Sequence, residues 1–366
     1  MIRKTDQSIF QARRQSLIRH LKARRLAGML VTDPANIFYL TGFRGSAGTR
    51  FVGPDDAVLW VDPRYTLQAR EQASDVEVTE VKTGLLRSAG RWLNVRGYGR
   101  VGYEDTHLTC QQFSMLGEIA GRELVWVPLG RAVEMQRAVK DPGEIETIRR
   151  ACKLASKVYE EVAAQIRPGV SERDLAAEIE YKMKRHGAEG AAFDTIVASG
   201  RRSAFPHATP SPKLLEKGDL VILDLGAILG GYASDMTRTV YLGRPGQRIR
   251  RLYSAVQEAQ LEAVKAAVPG TGAATVDAVA RRVLARRGLH KYFTHSTGHG
   301  VGIEIHEDPK LGKLEATKLK EGFVITVEPG VYLEELGGIR IEDTLVVSAN
   351  GPEVLTTATR NQWIID

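Results

Sequence analysis

Five residues in the second half of the chain have types and positions that suit metal chemistry. They are Asp224, Asp235, His299, Glu328 and Glu342. The four acids lie in or beside apolar, strand-like segments, where a carboxylate costs several kcal/mol unless it is paired or bound to a metal. The histidine lies between two glycines. Four carboxylates and one imidazole suit two divalent ions, Mn²⁺, Co²⁺, Zn²⁺ or Fe²⁺, whereas Mg²⁺ or Ca²⁺ recruits histidine less often.

Each of these residues alone also has an ordinary structural interpretation. Asp235 could cap a helix or pair with Arg238, and Glu342 could pair with Arg340. The other three could be strand-end or turn residues. It is their combination that favours a metal site over five separate explanations.

The local sequences around these residues resemble the "pita-bread" metallopeptidases, the family of methionine aminopeptidase, aminopeptidase P and prolidase. The matching contexts are Asp-Leu-Gly at Asp224, Ser-Asp-Met-Thr-Arg-Thr at Asp235, Gly-His-Gly-Val-Gly at His299, Val-Glu-Pro-Gly at Glu328 and Arg-Ile-Glu-Asp-Thr at Glu342. The resemblance extends from residue 141 to the C-terminus and includes all five ligand positions. It implies a C-terminal domain of the pita-bread fold.

The resemblance also implies a role for each ligand. Asp224 would bind one metal ion, His299 and Glu328 would bind the other, and Asp235 and Glu342 would bridge them. Mn²⁺ is the first expectation for both ions. A hydroxide held between the ions would be the nucleophile, because metal ions lower the pKa of bound water. Glu328 would also accept and pass on a proton.

Four further residues gain roles from the same resemblance. His207 would donate a proton to the scissile nitrogen, and His306 would donate to the developing oxyanion. His295 would line the substrate site, and Arg340 could bind a substrate carboxylate. The structural alternatives stay open: satisfied histidines, and an ion pair of Arg340 with Glu342 or with the residue after it.

The implied activity is hydrolysis of the bond between an N-terminal residue and proline in proline-containing peptides. The segment 39–49 resembles aminopeptidase P, which makes an Xaa-Pro aminopeptidase the first expectation. The segment 200–239 is equally similar to archaeal-type prolidases, so an Xaa-Pro dipeptidase is the alternative. A binding module on the same fold, without metal, is the non-enzyme alternative, and the five intact ligands argue against it.

The elements that must position these residues predict an α+β protein of two domains. Residues 1–130 alternate helix-like and strand-like segments and predict a smaller α/β domain of the creatinase N-terminal type. Residues 131–141 are the expected linker, and 142–366 the catalytic domain. By resemblance, the N-terminal domain would contribute to substrate access and to a homodimer.

Composition narrows the classes of partner. The net charge is +7, from 51 Lys and Arg against 44 Asp and Glu, and the basic residues occur in short, scattered groups. This favours solvated helix faces over a nucleic-acid groove. The polar segment 1–11 has no signal-like apolar core, and no stretch is long and apolar enough for a membrane span. We therefore expect a cytoplasmic protein whose two cysteines, Cys110 and Cys152, are buried free thiols.

Overall fold

The computed structural model of the protein describes residues 4–365, and two compact units divide between Arg137 and Ala138. Of the polar N-terminal segment considered above, residues 1–3 lie outside the described part. Among the described helices, none combines the length and the apolar character that a membrane crossing requires.

The N-terminal unit is a mixed six-stranded sheet with helices, in the strand order β4-β3-β2-β1-β5-β6. Its elements are α1 (Lys4–Ala23), β1 (Gly28–Val31), α2 (Pro34–Thr41), β2 (Gly48–Val52), β3 (Ala57–Val61), α3 (Thr66–Gln72), β4 (Glu77–Glu80), α4 (Leu85–Arg96), β5 (Arg100–Tyr103), α5 (Cys110–Ala120), β6 (Val125–Pro128) and α6 (Glu134–Arg137). Asp33 caps α2 through the backbone N–H of Ala35, and Pro34 occupies the first turn, where no N–H is needed. One face of the sheet packs Phe51 and Trp60 against residues of α4 and α5.

The described residues of the C-terminal unit form four α-helices, two short 3₁₀ helices and several small sheets. Its elements are α7 (Pro142–Ala163), α8 (Glu172–Arg185), β7 (Gly190–Ala191), β8 (Ile196–Ser199), β9 (Leu220–Leu225), β10 (Ala227–Leu229), β11 (Tyr232–Ala233), β12 (Met236–Leu242), α9 (Gln247–Ala266), α10 (Ala273–Arg286), β13 (Gly298–Gly300), β14 (Glu307–Leu311), β15 (Val324–Val327), β16 (Gly330–Leu333), β17 (Gly337–Arg340), β18 (Asp343–Val346), β19 (Glu353–Val354) and β20 (Ile364–Ile365). The two larger sheets have the orders β20-β12-β9-β8 and β14-β13-β15-β18-β19. The predicted α+β class is confirmed.

Each of the two larger sheets is covered by its own pair of helices. Apolar residues of α7 and α8 form one core with β8, β9 and β12. Apolar residues of α9 and α10 form a second core with β15 and β18. The start of α7 is set by a capping box between Asp141 and Glu144 with Pro142 in the first turn. Ser171 caps α8 through the backbone N–H of Asp174.

The predicted linker, 131–141, contains α6 and the boundary between the units, and its bounds stay a prediction. One expected feature differs in the structure. Cys152 is a buried free thiol as expected, but Cys110 is exposed, so the prediction that both are buried was wrong. Cys110 is the first residue of α5, whose buried residues include Leu116 and Ala120 in later turns.

Candidate metal centre

Asp224 and Asp235 are brought together by the pairing of β9 with β12. Val221, Leu223 and Leu225 belong to the core with α7 and α8, so strand alternation directs Asp224 to the opposite face of β9. Asp235 comes immediately before β12, whose Thr237 lies directly opposite Asp224. Both carboxylates are buried, at 9 % and 5 % relative exposure.

His299 lies in β13, and its glycine neighbours have a steric reason. A Cβ on Gly298 would lie 2.0 Å from the carbonyl oxygen of Thr326, and one on Gly300 would lie 2.1 Å from that of Asp308. Only glycine fits so close to the adjacent strands. The histidine between them is therefore held in a strand rather than in a turn.

The imidazole of His299 presents a lone pair to two acids. Its Nδ1 lies 3.0 Å from the carbonyl oxygen of Gly300, a contact that requires the proton on Nδ1. Its unprotonated Nε2 then lies 3.5 Å from an oxygen of Asp235 and 3.5 Å from an oxygen of Glu328. Three electron-rich atoms that face one another are suited to bind a cation between them.

Glu328 and Glu342 stand at the same end of a strand pair. In the pairing of β15 with β18, Val327 lies opposite Asp343, so Glu328 follows one strand and Glu342 precedes the other. The Thr237 hydroxyl donates to Glu342 at 2.7 Å, which links this pair to β12. The four acids and His299 therefore converge from both larger sheets.

Burial and mutual repulsion perturb the pKa values of these groups. Burial, and then the nearby charges of Asp224 and Glu328, raise the pKa of Asp235 well above its ordinary value. Burial followed by the charge of Asp235 does the same to the pKa of Glu342, and burial raises the pKa of Glu328 to about 7. Burial lowers the pKa of His299 to about 4, so its imidazole is neutral. A site of crowded acids and a neutral imidazole is stabilised by added positive charge.

The residues fit divalent metal ions. One ligand atom each from Asp235, His299 and Glu342 lie within 4.8 Å of one another. One buried oxygen of Asp224 and one of Glu342 have no hydrogen-bond partner within the described part of the chain. Since buried carboxylate oxygens are normally paired, and carboxylate with imidazole suits transition-metal ions, these unpaired oxygens are the expected ligand atoms.

Arg340 pairs with Asp224, rather than with Glu342 or the following Asp343. Its Nη2 donates to Asp224 at 2.6 Å, and its Nε donates to the Thr237 hydroxyl at 3.0 Å. Asp343 is instead paired with Arg238 at 2.8 Å. Arg340 is only 3 % exposed, so its guanidinium donates to groups of the protein rather than to solvent.

His295 is connected to Arg340 through a tyrosine. The His295 Nδ1 lies 2.8 Å from the carbonyl oxygen of Ser296, so Nδ1 carries the proton and Nε2 accepts from the Tyr332 hydroxyl at 2.9 Å. The same hydroxyl accepts from Arg340 at 2.8 Å. Burial, followed by the charge of Arg340, lowers the pKa of His295 to about 4.

His306 and His207 are the more exposed histidines of the group. The rings of His306 and His299 are 4.3 Å apart, centre to centre. Burial, followed by the charge of His207, lowers the pKa of His306. The carbonyl oxygen of Pro206, next to His207, accepts from Arg340 at 3.2 Å. All nine predicted site residues therefore lie in one region of the C-terminal unit.

Sequence reasoning missed two residues that complete this arrangement. Tyr332 joins His295 to Arg340, and Thr237 joins Glu342 to Arg340. Tyr332 lies in an apolar strand and looks like a core residue in the sequence. Thr237 is two residues after Asp235, on the same face by strand alternation, and that spacing was the available signal.

Family models match both parts of the chain. The model described as metallopeptidase family M24 matches residues 146–349, and the creatinase/prolidase N-terminal domain matches residues 13–139. An Xaa-Pro dipeptidase of Pyrococcus furiosus is 38 % identical over 95 % of this chain and 98 % of that protein.

Solved structures of similar proteins cover nearly the whole length of this chain. An Xaa-Pro dipeptidase from Bacillus anthracis superposes with a TM-score of 0.93 at 35 % identity, over 97 % of this chain and 100 % of the other. An X-Pro aminopeptidase from Thermotoga maritima gives 0.90 at 36 % identity, over 96 % and 99 %.

Proposed function

Because this chain belongs to metallopeptidase family M24 and carries a creatinase/prolidase N-terminal domain, we propose that it is an Xaa-Pro dipeptidase dependent on two divalent metal ions. The observation that carries the proposal is the convergence of Asp224, Asp235, His299, Glu328 and Glu342. The four carboxylates carry more negative charge than the neighbouring Arg340 can neutralise. The names of several similar proteins favour the dipeptidase over the aminopeptidase expected first. The aminopeptidase stays a prediction and is the second candidate.

We assign the five ligands as the resemblance implied. Asp224 would hold one ion, His299 and Glu328 the other, and Asp235 and Glu342 both. Mn²⁺ is the first choice, with Co²⁺, Zn²⁺ and Fe²⁺ as alternatives that suit the same mixed oxygen and nitrogen ligands. When bound, the ions would supply Lewis acidity toward the substrate carbonyl and lower the pKa of the attacking water.

The chain's own residues would move the protons. Glu328 would accept the proton of the attacking water, the role that the family resemblance implies. His207 would deliver a proton to the proline nitrogen as the bond breaks. His306, whose ring adjoins that of His299, would donate to the oxygen on which negative charge develops.

A peptide bond to proline needs such a dedicated proton donor. It is a tertiary amide without an N–H, so an enzyme cannot orient it through a hydrogen bond from that nitrogen. The leaving nitrogen must instead be protonated from the protein. The position of His207 beside Pro206, whose carbonyl contacts Arg340, supports this role.

Arg340 and His295 would shape the site. Four contacts tie Arg340 to Asp224, Thr237, Tyr332 and Pro206. We therefore assign it first to orienting Asp224, and its contact with a substrate carboxylate stays a prediction. His295, held as a neutral acceptor by Tyr332, would line the substrate side.

Two features favour the aminopeptidase as second candidate. The segment 39–49 resembles aminopeptidase P, and the Thermotoga maritima structure is named an X-Pro aminopeptidase. The homodimer, the role of the N-terminal domain in substrate access and the cytoplasmic location also stay predictions of the resemblance and composition.

Peptide length separates the two candidates. The Mn²⁺-loaded protein should hydrolyse Ala-Pro and leave Ala-Pro-Ala intact, with free alanine measured by chromatography. Cleavage of the tripeptide with no cleavage of the dipeptide would replace the dipeptidase by the aminopeptidase. Cleavage of neither, in protein that holds its metal, would refute the Xaa-Pro specificity.

A further inference from the structure

A loop that joins two strands of the C-terminal unit carries His207. The His207 loop, residues 199–211, begins at the end of β8, passes through a short 3₁₀ helix (Gly200–Ala204) and leads toward β9. His207 is exposed, and within the described residues its ring has no hydrogen bond that would hold it. Its position therefore depends on the backbone of the loop.

One buried carboxylate holds both ends of this loop. Glu172, the first residue of α8, has no solvent exposure. One of its oxygens accepts from the backbone N–H and the hydroxyl of Ser199, at 2.7 and 2.8 Å. The other accepts from the backbone N–H and the hydroxyl of Ser211, at 3.0 and 2.6 Å, and from Arg202 at 3.0 Å. The two ends of the loop thus meet at a single side chain.

The opposite side of the loop is attached to the metal centre. The Ser203 hydroxyl accepts from the backbone N–H of Gly338 at 2.8 Å. The carbonyl of Pro206 accepts from Arg340, which also contacts Asp224. Within the loop, Arg202 donates to the carbonyl of Thr209 at 2.6 Å. Glu172 therefore fixes the base of a segment whose far side reaches the reacting groups.

We propose that Glu172 is a positioning residue that closes the His207 loop and so places His207 for proton delivery. The inference rests on the proposed function, because it concerns the group assigned to protonate the proline nitrogen. Glu172 lies on α8, away from the ligand set, and none of the metal ligands contacts it in the described hydrogen bonds. Its loss should therefore affect proton delivery and leave metal binding intact.

The charge of Glu172 matters as well as its shape. All five of its hydrogen-bond partners are donors, so only an ionised carboxylate can accept from every one. Burial acts to raise its pKa, but the donors of Ser211, Ser199 and Arg202 outweigh it, and the pKa lies below its ordinary value. A glutamine at this position would turn an NH₂ group toward donors at one end of the loop. One end should then be released.

The test compares Glu172→Gln with Glu180→Gln, an exposed glutamate on the same helix. In Mn²⁺-loaded protein, Glu172→Gln should speed hydrogen exchange in peptides that cover residues 199–211. It should lower kcat for Ala-Pro roughly 10- to 100-fold, as expected for a misplaced catalytic group, with a small change in KM. Bound metal should stay at the wild-type level, and Glu180→Gln should match the wild type in all three measurements.

Each contrary result has a distinct meaning. Unchanged exchange in the loop would overturn the closing role of Glu172, and faster exchange with unchanged kcat would overturn its positioning role. If Glu172→Gln unfolds, Ser211→Ala removes one donor to Glu172 together with the acceptor of the Lys213 backbone N–H, and it should give the same effects at about 3- to 10-fold. If the wild type hydrolyses no Xaa-Pro peptide, the proposed function fails with the positioning role, while exchange still tests the loop closure.

Discussion

Two adjacent acids, Glu342 and Asp343, show how local surroundings separate a ligand from a structural ion pair. Asp343 is fully buried but is neutralised by Arg238 at 2.8 Å and by Arg360 at 3.2 Å. Glu342, on the other face of the strand, has a single donor in Thr237 and, among the described residues, a second oxygen with no partner. A buried acid without a counter-charge is stabilised by a cation, which supports the proposal that Glu342 is a metal ligand.

The substitution Asp235→Ala tests the ligand assignment. It should reduce the affinity for Mn²⁺ by at least about 10-fold, because a side chain that binds the ion directly contributes at least as much as the partners that orient it. Hydrolysis of Ala-Pro should be abolished. In protein from which a chelator has removed the metal, the unfolding temperature should not fall. The substitution removes a carboxylate whose pKa is raised by burial and by the neighbouring acids. Calorimetric titration and thermal unfolding measure both effects.

Asp194→Ala, at an exposed position, is the matched control and should bind Mn²⁺ as the wild type does. Retained metal affinity and turnover in Asp235→Ala would show that Asp235 is not a ligand.

The substitution His207→Ala separates proton delivery from metal binding. We expect kcat for Ala-Pro to fall by about 10²- to 10⁴-fold, the range of a general acid. The metal content should not change, since His207 is outside the ligand set. Steady-state kinetics and elemental analysis of the same sample measure this. A parallel loss of metal would move His207 into the ligand set instead.

At this scale the clustering of Asp235, His299 and Glu342 could be anticipated from the sequence because an acid in an apolar strand is conspicuous, and their role as ligands stays a prediction. The connections between them could not. Tyr332 resembles any aromatic core residue until the structure places its hydroxyl between His295 and Arg340. The pairing of Arg340 with Asp224 rather than with Glu342 is a side-chain contact between residues 116 apart in the sequence, which local patterns do not encode.

At the scale of the elements, periodicity predicted the segments but not their pairing. The strand at 57–61 and the amphipathic α7 follow directly from apolar spacing. The convergence of β9, β12, β13, β15 and β18 depends on contacts between segments far apart in the chain. The family resemblance supplied that arrangement in advance.

One strand carries a charge that its surroundings do not satisfy. Arg50, in β2, is fully buried, and its guanidinium nitrogens have no hydrogen-bond partner among the described residues. Burial, then the charge of Arg14, lowers its pKa to about 9. Arg50→Leu should therefore raise the free energy of unfolding of the N-terminal unit by roughly 1–4 kcal/mol. Urea unfolding followed by tryptophan fluorescence measures it.

Arg91→Leu, at an exposed position of α4, is the control and should change that free energy by at most about 0.5 kcal/mol. A clear loss of stability in Arg50→Leu would show that the guanidinium has a stabilising partner.

The end of β5 gives the N-terminal unit a pH dependence. Glu104 accepts hydrogen bonds from the backbone N–H groups of Thr32 and Asp33 and from Asn36, yet burial raises its pKa from 4.5 to about 7. The folded state therefore holds this proton more tightly than the unfolded state. The stability from this group is complete below pH 4.5 and is lost as the pH rises to about 7.

The wild type should therefore lose on the order of 3 kcal/mol between pH 4.5 and pH 7 relative to Glu104→Gln, which cannot ionise. Urea unfolding at several pH values tests this, and fluorescence reports mainly on this unit, which holds Trp60, Trp92 and Trp126, three of the four tryptophans of the chain. Parallel pH profiles in the two proteins would mean that the hydrogen bonds outweigh burial.

At the scale of the whole molecule, the predicted site lies within one of the two compact units. The C-terminal unit alone contains the nine predicted site residues, so the chemistry needs no residue of the N-terminal unit for its metal ligands. The length and order of the two units could be predicted from the sequence. The size of peptide that the protein accepts could not, because it depends on the shape around the site rather than on the residue types in it.

The most direct test measures bound metal and hydrolysis in the same sample. Protein from which a chelator has removed the metal is titrated with Mn²⁺. Bound metal is counted by elemental analysis, and hydrolysis of Ala-Pro is measured at each step. The proposed site predicts no hydrolysis without metal and activity that rises with binding up to about two ions per chain. Full activity in the metal-free protein, or maximal activity reached without bound metal, would contradict a metal-dependent peptidase.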